Sequence, residues 1–299
     1  KPLAGLLPQQ AMTELFATVM QTGRQHAAEY SLEGGRILLL QAAPLHRPGE
    51  TWGAVGILQD VTEIRRMEQL RRDFVANVSH ELRTPMTSIQ GFVEALLDGL
   101  AEDKASRLHY LQIILAETVR LNRLITDLLD LSRLEMQQIP LPLEAVDLAS
   151  LIRDVTAKLQ PQVEKNGLTL KVNLPERLQP VTGNYDRLQQ VLINLCSNAI
   201  AFTPPGGRIT VTAREIGELV RVSVSDTGPG IPVEEQDKIW QRFHRVDKAR
   251  SRSLGGTGLG LAIVKQIIEA HGGSVGLTSM PGEGATFSFT LKIADNAAG

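Results

Sequence analysis

Two long stretches of helical-period apolar residues, only a few residues apart, constrain this chain more than any other feature. In the first, Val61, Ile64, Met67, Leu70, Phe74, Val78 and Leu82 recur every 3.5 residues on average, the period of a coiled-coil seam. Arg65, Arg66, Glu68, Arg71, Arg72 and Asp73 fill the other faces. The stripe passes Pro85 and resumes at Ile89, Phe92, Val93, Leu96 and Leu97, with Gly99 near its end. Proline removes a backbone donor and crowds the preceding turn, so a kink is expected near Arg83. The second stretch runs from about Lys104 to Leu134. Leu108, Leu111, Leu115, Val119, Asn122, Ile125, Leu129 and Ser132 lie on one near-heptad track. Two such helices with a short connection make an antiparallel hairpin. A hairpin has no interior in which to hide its apolar faces, whereas two copies joined as a four-helix bundle enclose them. A homodimer is therefore expected.

Pro140 and Pro142 close the helical region, and residues 143–294 alternate helix and strand patterns. Helical spacing covers Leu148–Gln160, Arg187–Ala201 and Gly258–Ala270. Strand patterns fall at Leu168–Asn173, Arg208–Arg214, Leu219–Ser225, Ser274–Ser279 and Ala285–Ile293, the last two read as a hairpin. This predicts a two-layer α/β sandwich. Before the hairpin, Gln10–Thr22 reads as a helix, and Arg36–Ala43 and Trp52–Gln59 read as strands. Gly34-Gly35 and Pro48-Gly49 punctuate them as turns. That segment looks too small and strand-poor for a complete domain. The expected organisation is residues 1–60, 61–139 and 140–299.

Composition excludes more than it selects. The formal net charge of −2 gives no support for nucleic-acid binding. No run of 18 apolar residues occurs, so no bilayer-spanning segment is expected. The single cysteine, Cys196, allows no intrachain disulfide, lies in an apolar run and suggests a reducing compartment. The sequence begins with Lys1, not Met, so a fragment of a longer protein is expected, and a missing membrane anchor says nothing about that parent.

Several motifs carry chemistry. Asp226-Thr-Gly228-Pro-Gly230-Ile231 follows a strand; a carboxylate beside two glycines permits close backbone approach to a flat ligand. Asp226 could accept a hydrogen bond from an exocyclic amine such as that of adenine, although a strand-ending turn has the same form. Gly255-Gly256-Thr257-Gly258-Leu259-Gly260-Leu261 opens a helix, where backbone amides form a phosphate cradle. It lacks the Lys-Ser/Thr ending of a P-loop and comes too late for a dinucleotide fingerprint. Asn194 and Asn198 share a helix face, and neutral amide oxygens could ligate Mg²⁺ while phosphates supply the charge. Arg242, Arg245, Lys248, Arg250 and Arg252 form a basic run before the cradle, suited to a lid over polyphosphate. His80 lies on a polar face with Glu81 beside it. A neutral imidazole is a good nucleophile, and Glu81 is placed to orient the ring or take its proton.

Together these segments resemble the two-component sensor histidine kinases of the membrane-sensor, phosphate-regulon-like layout, which implies the cytoplasmic portion of a membrane-anchored parent. Ser79-His80-Glu81-Leu-Arg-Thr84-Pro85 is similar to the H box. Gln190–Ala199 is similar to the N box, Asp226–Ile231 to the G1 box, Trp240–Arg245 to the F box and Gly255–Leu261 to the G2 box. Gly282-Glu-Gly284-Ala-Thr286-Phe287 resembles a further glycine motif. The resemblance runs from about Val61 to Ile293. It implies a Bergerat-type ATP site joined to a dimerising helical hairpin, with ATP and Mg²⁺ as cofactors. Asn194, Asn198, Phe202, Asp226, Arg245, the glycine motifs and Thr286 would serve the nucleotide. It also implies phosphoryl transfer from ATP to His80 and on to an aspartate of a response regulator, with Thr84 supporting dephosphorylation of that regulator. Residues 1–60 look like the C-terminal part of a PAS sensor domain. Ala201 departs from the family, many of whose members carry Lys or Arg there, and Trp240 replaces a commoner Phe. A non-signalling ATPase of the same fold is the main rival. It would need a carboxylate to activate water where Asn194 stands. A second rival is a scaffold or phosphatase that has lost kinase activity.

Overall fold

The computed structural model describes residues 9–32, 34–135, 142–247 and 256–294. The chain divides into two compact units, residues 1–79 and 80–299.

In the first unit, helix α1 (Gln9–Thr22) precedes an antiparallel sheet of β1 (His26–Ser31), β2 (Ile37–Arg47) and β3 (Glu50–Asp60), in that order. Leu15 and Val19 of the helix meet Leu38, Leu40 and Ala42 of the central strand in a small core. β1 escapes the sequence reading because His26-Ala-Ala-Glu-Tyr-Ser31 has no strong apolar alternation; it exists because residues 37–42 of β2 offer it a free edge. Helix α2 (Thr62–Leu97) starts at Thr62, whose amide and hydroxyl both donate to Asp60. Those bonds hold the Asp60 carboxyl below its ordinary range.

Helix α2 continues into the second unit as one helix with Pro85 inside it. Pro85 leaves the Glu81 carbonyl without its usual helical donor. One residue earlier, the Thr84 hydroxyl donates to the His80 carbonyl at 3.2 Å. After Leu97 the chain turns through Gly99, which has a positive φ, and Asp103 starts helix α3 (Lys104–Glu135). The Asp103 carboxylate accepts from the Ser106 amide at 2.8 Å, a capping interaction. Phe92 stacks obliquely on Tyr110 across the hairpin.

The rest of this unit is a layered α/β sandwich. A five-stranded sheet has the order β5 (Thr169–Asn173), β7 (Arg208–Ile216), β8 (Leu219–Asp226), β10 (Gly284–Lys292) and β9 (Ser274–Met280). β5 joins β7 in parallel and the other pairs are antiparallel. Helices α4 (Leu148–Lys165), α5 (Tyr185–Phe202) and α7 (Gly260–Ala270) pack together and against the sheet, and α6 (Val233–Gln236) is one short turn. Ile152, Leu188, Leu192, Ile209, Ile263 and Phe289 are almost completely buried between the layers. Truncating any one of them to Ala would cost about 2–5 kcal/mol. Cys196 belongs to this core, and burial pushes its thiol up to about 12, leaving it no use as a nucleophile.

Two details differ from the sequence expectation. α4 runs through Pro161 to Lys165, whereas the periodicity ends at Gln160. The short strands β4 (Glu144–Val146) and β6 (Val181–Gly183) form a second sheet that three-residue segments cannot announce. Among the described residues no helix is long and apolar enough to cross a membrane.

Candidate active site

α5 carries both asparagines, and its position is set at its first turn. Asn184 caps it by accepting from the Arg187 amide at 3.1 Å. The Asn184 backbone amide in turn donates to Nε2 of the buried His271 at 3.0 Å, while Nδ1 lies 2.7 Å from the Ile267 carbonyl. His271 thus ties the end of α7 to the start of α5. Those bonds need a neutral ring with its proton on Nδ1, and burial lowers its pKa despite the Ile267 carbonyl.

A cavity of about 600 Å³ opens beside α5. Asn194, Asn198 and Phe202 line it from that helix, Asp226, Gly230 and Ile231 from the end of β8. Arg245, Gly256, Thr257, Gly258, Gly260 and Leu261 also line it. Twelve residues singled out in the sequence therefore meet at one cavity although they lie in four separate segments. Of the residues the resemblance assigns to the nucleotide, Gly228, Leu259 and Thr286 do not line it. The Gly228 amide donates to the Asp226 carboxylate at 2.8 Å. Leu259 is fully buried, and the Thr286 hydroxyl donates to Ser225. Lys248, Arg250 and Arg252 of the basic run, and Gly255 after it, lie outside the described residues.

Backbone geometry explains two of the glycines. Gly230 has φ of +70°, and a Cβ there would lie 2.0 Å from the Met280 carbonyl oxygen. Gly258 has φ of +72°, its carbonyl accepts from the Phe243 amide, and a Cβ would come within 2.9 Å of the Phe243 backbone. Both contacts let loops close over the cavity that a side chain would hold apart. Asp226 is half-buried at the cavity wall. Desolvation raises its pKa, while the Gly228 and Ala285 amides oppose the rise.

The metal question turns on donor chemistry. Asn194 donates its amide to the Gly260 carbonyl at 3.4 Å, which leaves its side-chain oxygen as an acceptor beside the cavity. Among the described residues no cluster of three His, Cys, Asp or Glu could hold a cation. A divalent ion here would need its charge balanced by a ligand's phosphates, a fit for neutral amide donors.

His80 is exposed and does not line the cavity. Its neighbour Glu81 is engaged. The carboxylate accepts from Arg245 at 2.8 Å and from Arg120 of α3 at 3.2 Å. Sequence reasoning missed the contribution of α3. Arg123 and Asp127 line the cavity, and Asp127 accepts from the Thr257 hydroxyl at 2.8 Å. Burial raises the Asp127 pKa against the effects of Thr257 and Arg123. One turn on, Asp130 accepts from Arg187 at 2.9 Å and Gln190 at 2.8 Å. The signal was present as charged residues at 120, 123, 127 and 130, a helical spacing off the apolar track. It reads as an ordinary solvated face until a second surface is known to meet it.

The comparisons fall on these same segments. Residues 70–137 match the His Kinase A (phospho-acceptor) domain. Residues 183–295 match the histidine kinase-, DNA gyrase B-, and HSP90-like ATPase domain. Sensor histidine kinase WalK of Bacillus subtilis (strain 168) is 41% identical over 245 residues, 81% of this chain. The chain belongs to the sensor histidine kinases. It spans only 40% of WalK's length. Among solved structures, the histidine kinase ThkA in complex with response regulator protein TrrA matches 95% of this chain and covers 83% of its own, with a TM-score of 0.61 and 26% identity. Full-length ShkA in complex with AMPPNP matches 76% of this chain and 46% of its own, with a TM-score of 0.56 and 32% identity. A histidine kinase needs both a phospho-acceptor and a nucleotide site, and His80 and the cavity fall within the two matched domains.

Proposed function

We propose that the chain is a homodimeric protein-histidine kinase core that phosphorylates His80 from Mg²⁺-ATP and passes the phosphoryl group to an aspartate of a response regulator. The observation that carries this reading is the convergence of Asp226, Asn194, Asn198 and the glycine-rich loop on one cavity, in a chain whose exposed His80 stands on a separate helix. Asp226 accepts from the adenine amine. Asn194 and Asn198 would hold Mg²⁺, which would neutralise phosphate charge. Arg245 and the amides of the glycine loop face the phosphates, where positioning and charge stabilisation do most of the catalytic work.

A neutral ring nitrogen of His80 attacks the γ-phosphorus, the bond to the β,γ-bridging oxygen breaks, and ADP leaves. Glu81 orients the ring and accepts the proton from the other nitrogen. His80 lies off the cavity, so the nucleotide-binding layer must shift along the hairpin before transfer. Thr84 positions water for dephosphorylation of the regulator. The exposed apolar track of α3 supports the dimer, because Leu108, Leu111, Leu115, Val119, Ile125 and Leu129 are all left open to solvent by a single chain. The sheet of the first unit, which leads into α2, fits the closing part of a sensor domain.

Incubation with γ-labelled ATP tests the reading. The label should be acid-labile and comparatively base-stable, as a phosphohistidine is. His80→Gln should lose it completely while still binding ATP. Labelling of that variant at the wild-type level would remove His80 as the acceptor.

A further inference from the structure

Among the described residues, the hairpin carboxylates Glu81, Asp127 and Asp130 touch the ATP-binding layer, and they are not equivalent. Glu81 takes Arg245, whose side chain is only 6% exposed. Asp127 takes the hydroxyl of the buried Thr257. Both partners line the cavity, where the proposed reading puts the phosphates. Asp130, in contrast, takes Arg187 and Gln190, neither of which lines the cavity. Two contacts thus consume donors that a polyphosphate would use, and the third only anchors α3 to α5.

A carboxylate and a phosphate oxygen ask the same thing of a guanidinium or a hydroxyl: a short, charge-assisted hydrogen bond. They cannot both have it. A triphosphate in the cavity would also bring its charge towards Asp127, which stands in the cavity wall and is already partly desolvated. Like charges in such a setting repel strongly.

We propose that Glu81 and Asp127 are gating acids: they occupy Arg245 and Thr257 in the docked arrangement, so that docking on the hairpin and binding of a nucleoside triphosphate oppose each other. This rests on the cavity being the nucleotide site. ATP binding then releases Arg245 and Thr257 from the hairpin and frees Glu81 beside His80 in the same event. Coupling of this kind is reciprocal, so anything that weakens docking must raise nucleotide affinity. The apparent affinity of the wild type is reduced by the fraction of molecules that are undocked.

The experiment is calorimetric titration of the full chain with a non-hydrolysable ATP analogue and Mg²⁺. Asp127→Ala and Asp130→Ala are compared with the wild type. Both should bind more tightly, by about fivefold or more, the lower end of ordinary coupling energies. Asp130→Ala removes no group from the cavity, but its charge is felt at Asp127, so Gln190→Ala, which loosens the same contact without changing any charge and should also tighten binding, is the decisive variant. Tightening in either aspartate variant without it in Gln190→Ala would reduce the effect to local repulsion and overturn the coupling. Unchanged or weaker binding in all three would overturn it outright. Failure of the wild type to bind the analogue at all would sink instead the assignment of the cavity.

Discussion

Helices α3 and α5 are both long and amphipathic, yet they solve opposite problems. Leu188, Val191, Leu192, Leu195, Ala199 and Ile200 of α5 are all buried, and its one exposed large apolar residue, Ile193, lines the cavity. On α3, Leu108, Leu111, Leu115, Val119, Ile125 and Leu129 are 42–64% exposed, and of its described apolar side chains only Leu124 and Leu131 are buried to any comparable degree. The stripe of α5 finds a sheet in its own chain. That of α3 does not. Burying six such side chains would release on the order of 10 kcal/mol per protomer before the costs of association. The difference makes α5 an internal scaffold and leaves α3 with an apolar face uncovered by its own chain, the face we propose a second copy covers.

The comparison breaks first at the interface itself. Leu115→Asp with Val119→Asp puts two carboxylates on the open track and should convert the dimer to a monomer. Light scattering at micromolar concentration should fall from about twice the 32.7 kDa chain mass to that mass. A variant that stays dimeric would show that another surface joins the copies. α5 would be untouched by this change, so ATP binding should persist.

The hairpin's chemistry gives the next largest effect. Glu81→Ala should lower self-labelling by about 10²-fold or more, the usual range for a lost general base. ATP affinity should not fall, because Arg245 is released rather than removed. Thr84→Ala should keep labelling within a few-fold and slow dephosphorylation of a phosphorylated regulator. Loss of labelling in Thr84→Ala with intact dephosphorylation would reverse the two roles.

On the cavity side, Asp226→Asn keeps shape but turns an acceptor oxygen into a donor. A hydrogen bond to a charged group contributes about 1.5–3 kcal/mol, so ATP affinity should drop by roughly tenfold or more. Calorimetry showing no change would separate Asp226 from adenine.

The smallest effect concerns His271, which positions α5. Its folded pKa is depressed below the 6.5 of the free group. The unfolded chain therefore binds the proton more readily, and the stability due to the neutral ring is full above 6.5. That stability is lost as pH falls through the folded value. Thermal unfolding should show a midpoint that declines on acidification below neutrality, and His271→Gln should flatten that decline. An unchanged slope in the variant would place the acid sensitivity elsewhere.

Much of this molecule is legible without coordinates. The 3.5-residue period fixes α2 and α3, because a helix must keep its apolar stripe on one side. Alternation fixes β7, β8 and β10 for the corresponding reason. Their ordered motifs also mark out Asn194, Asn198, Asp226 and the loop at 256–261, since glycines and polar residues inside apolar elements are costly unless the backbone or a ligand uses them. What periodicity cannot see is pairing. β1, β4 and β6 exist because partner strands offer edges, and α4 crosses Pro161 because its apolar face is buried on either side of the proline.

The same limit applies at the site. Sequence alone determined the residue types and the elements that carry them. Only the tertiary structure decided that Asp127 reaches Thr257, that Glu81 holds Arg245 and that His80 stands off the cavity. A helix face records the spacing of its own charges, but which surface meets that face depends on contacts between residues up to 164 positions apart, and no local pattern encodes them.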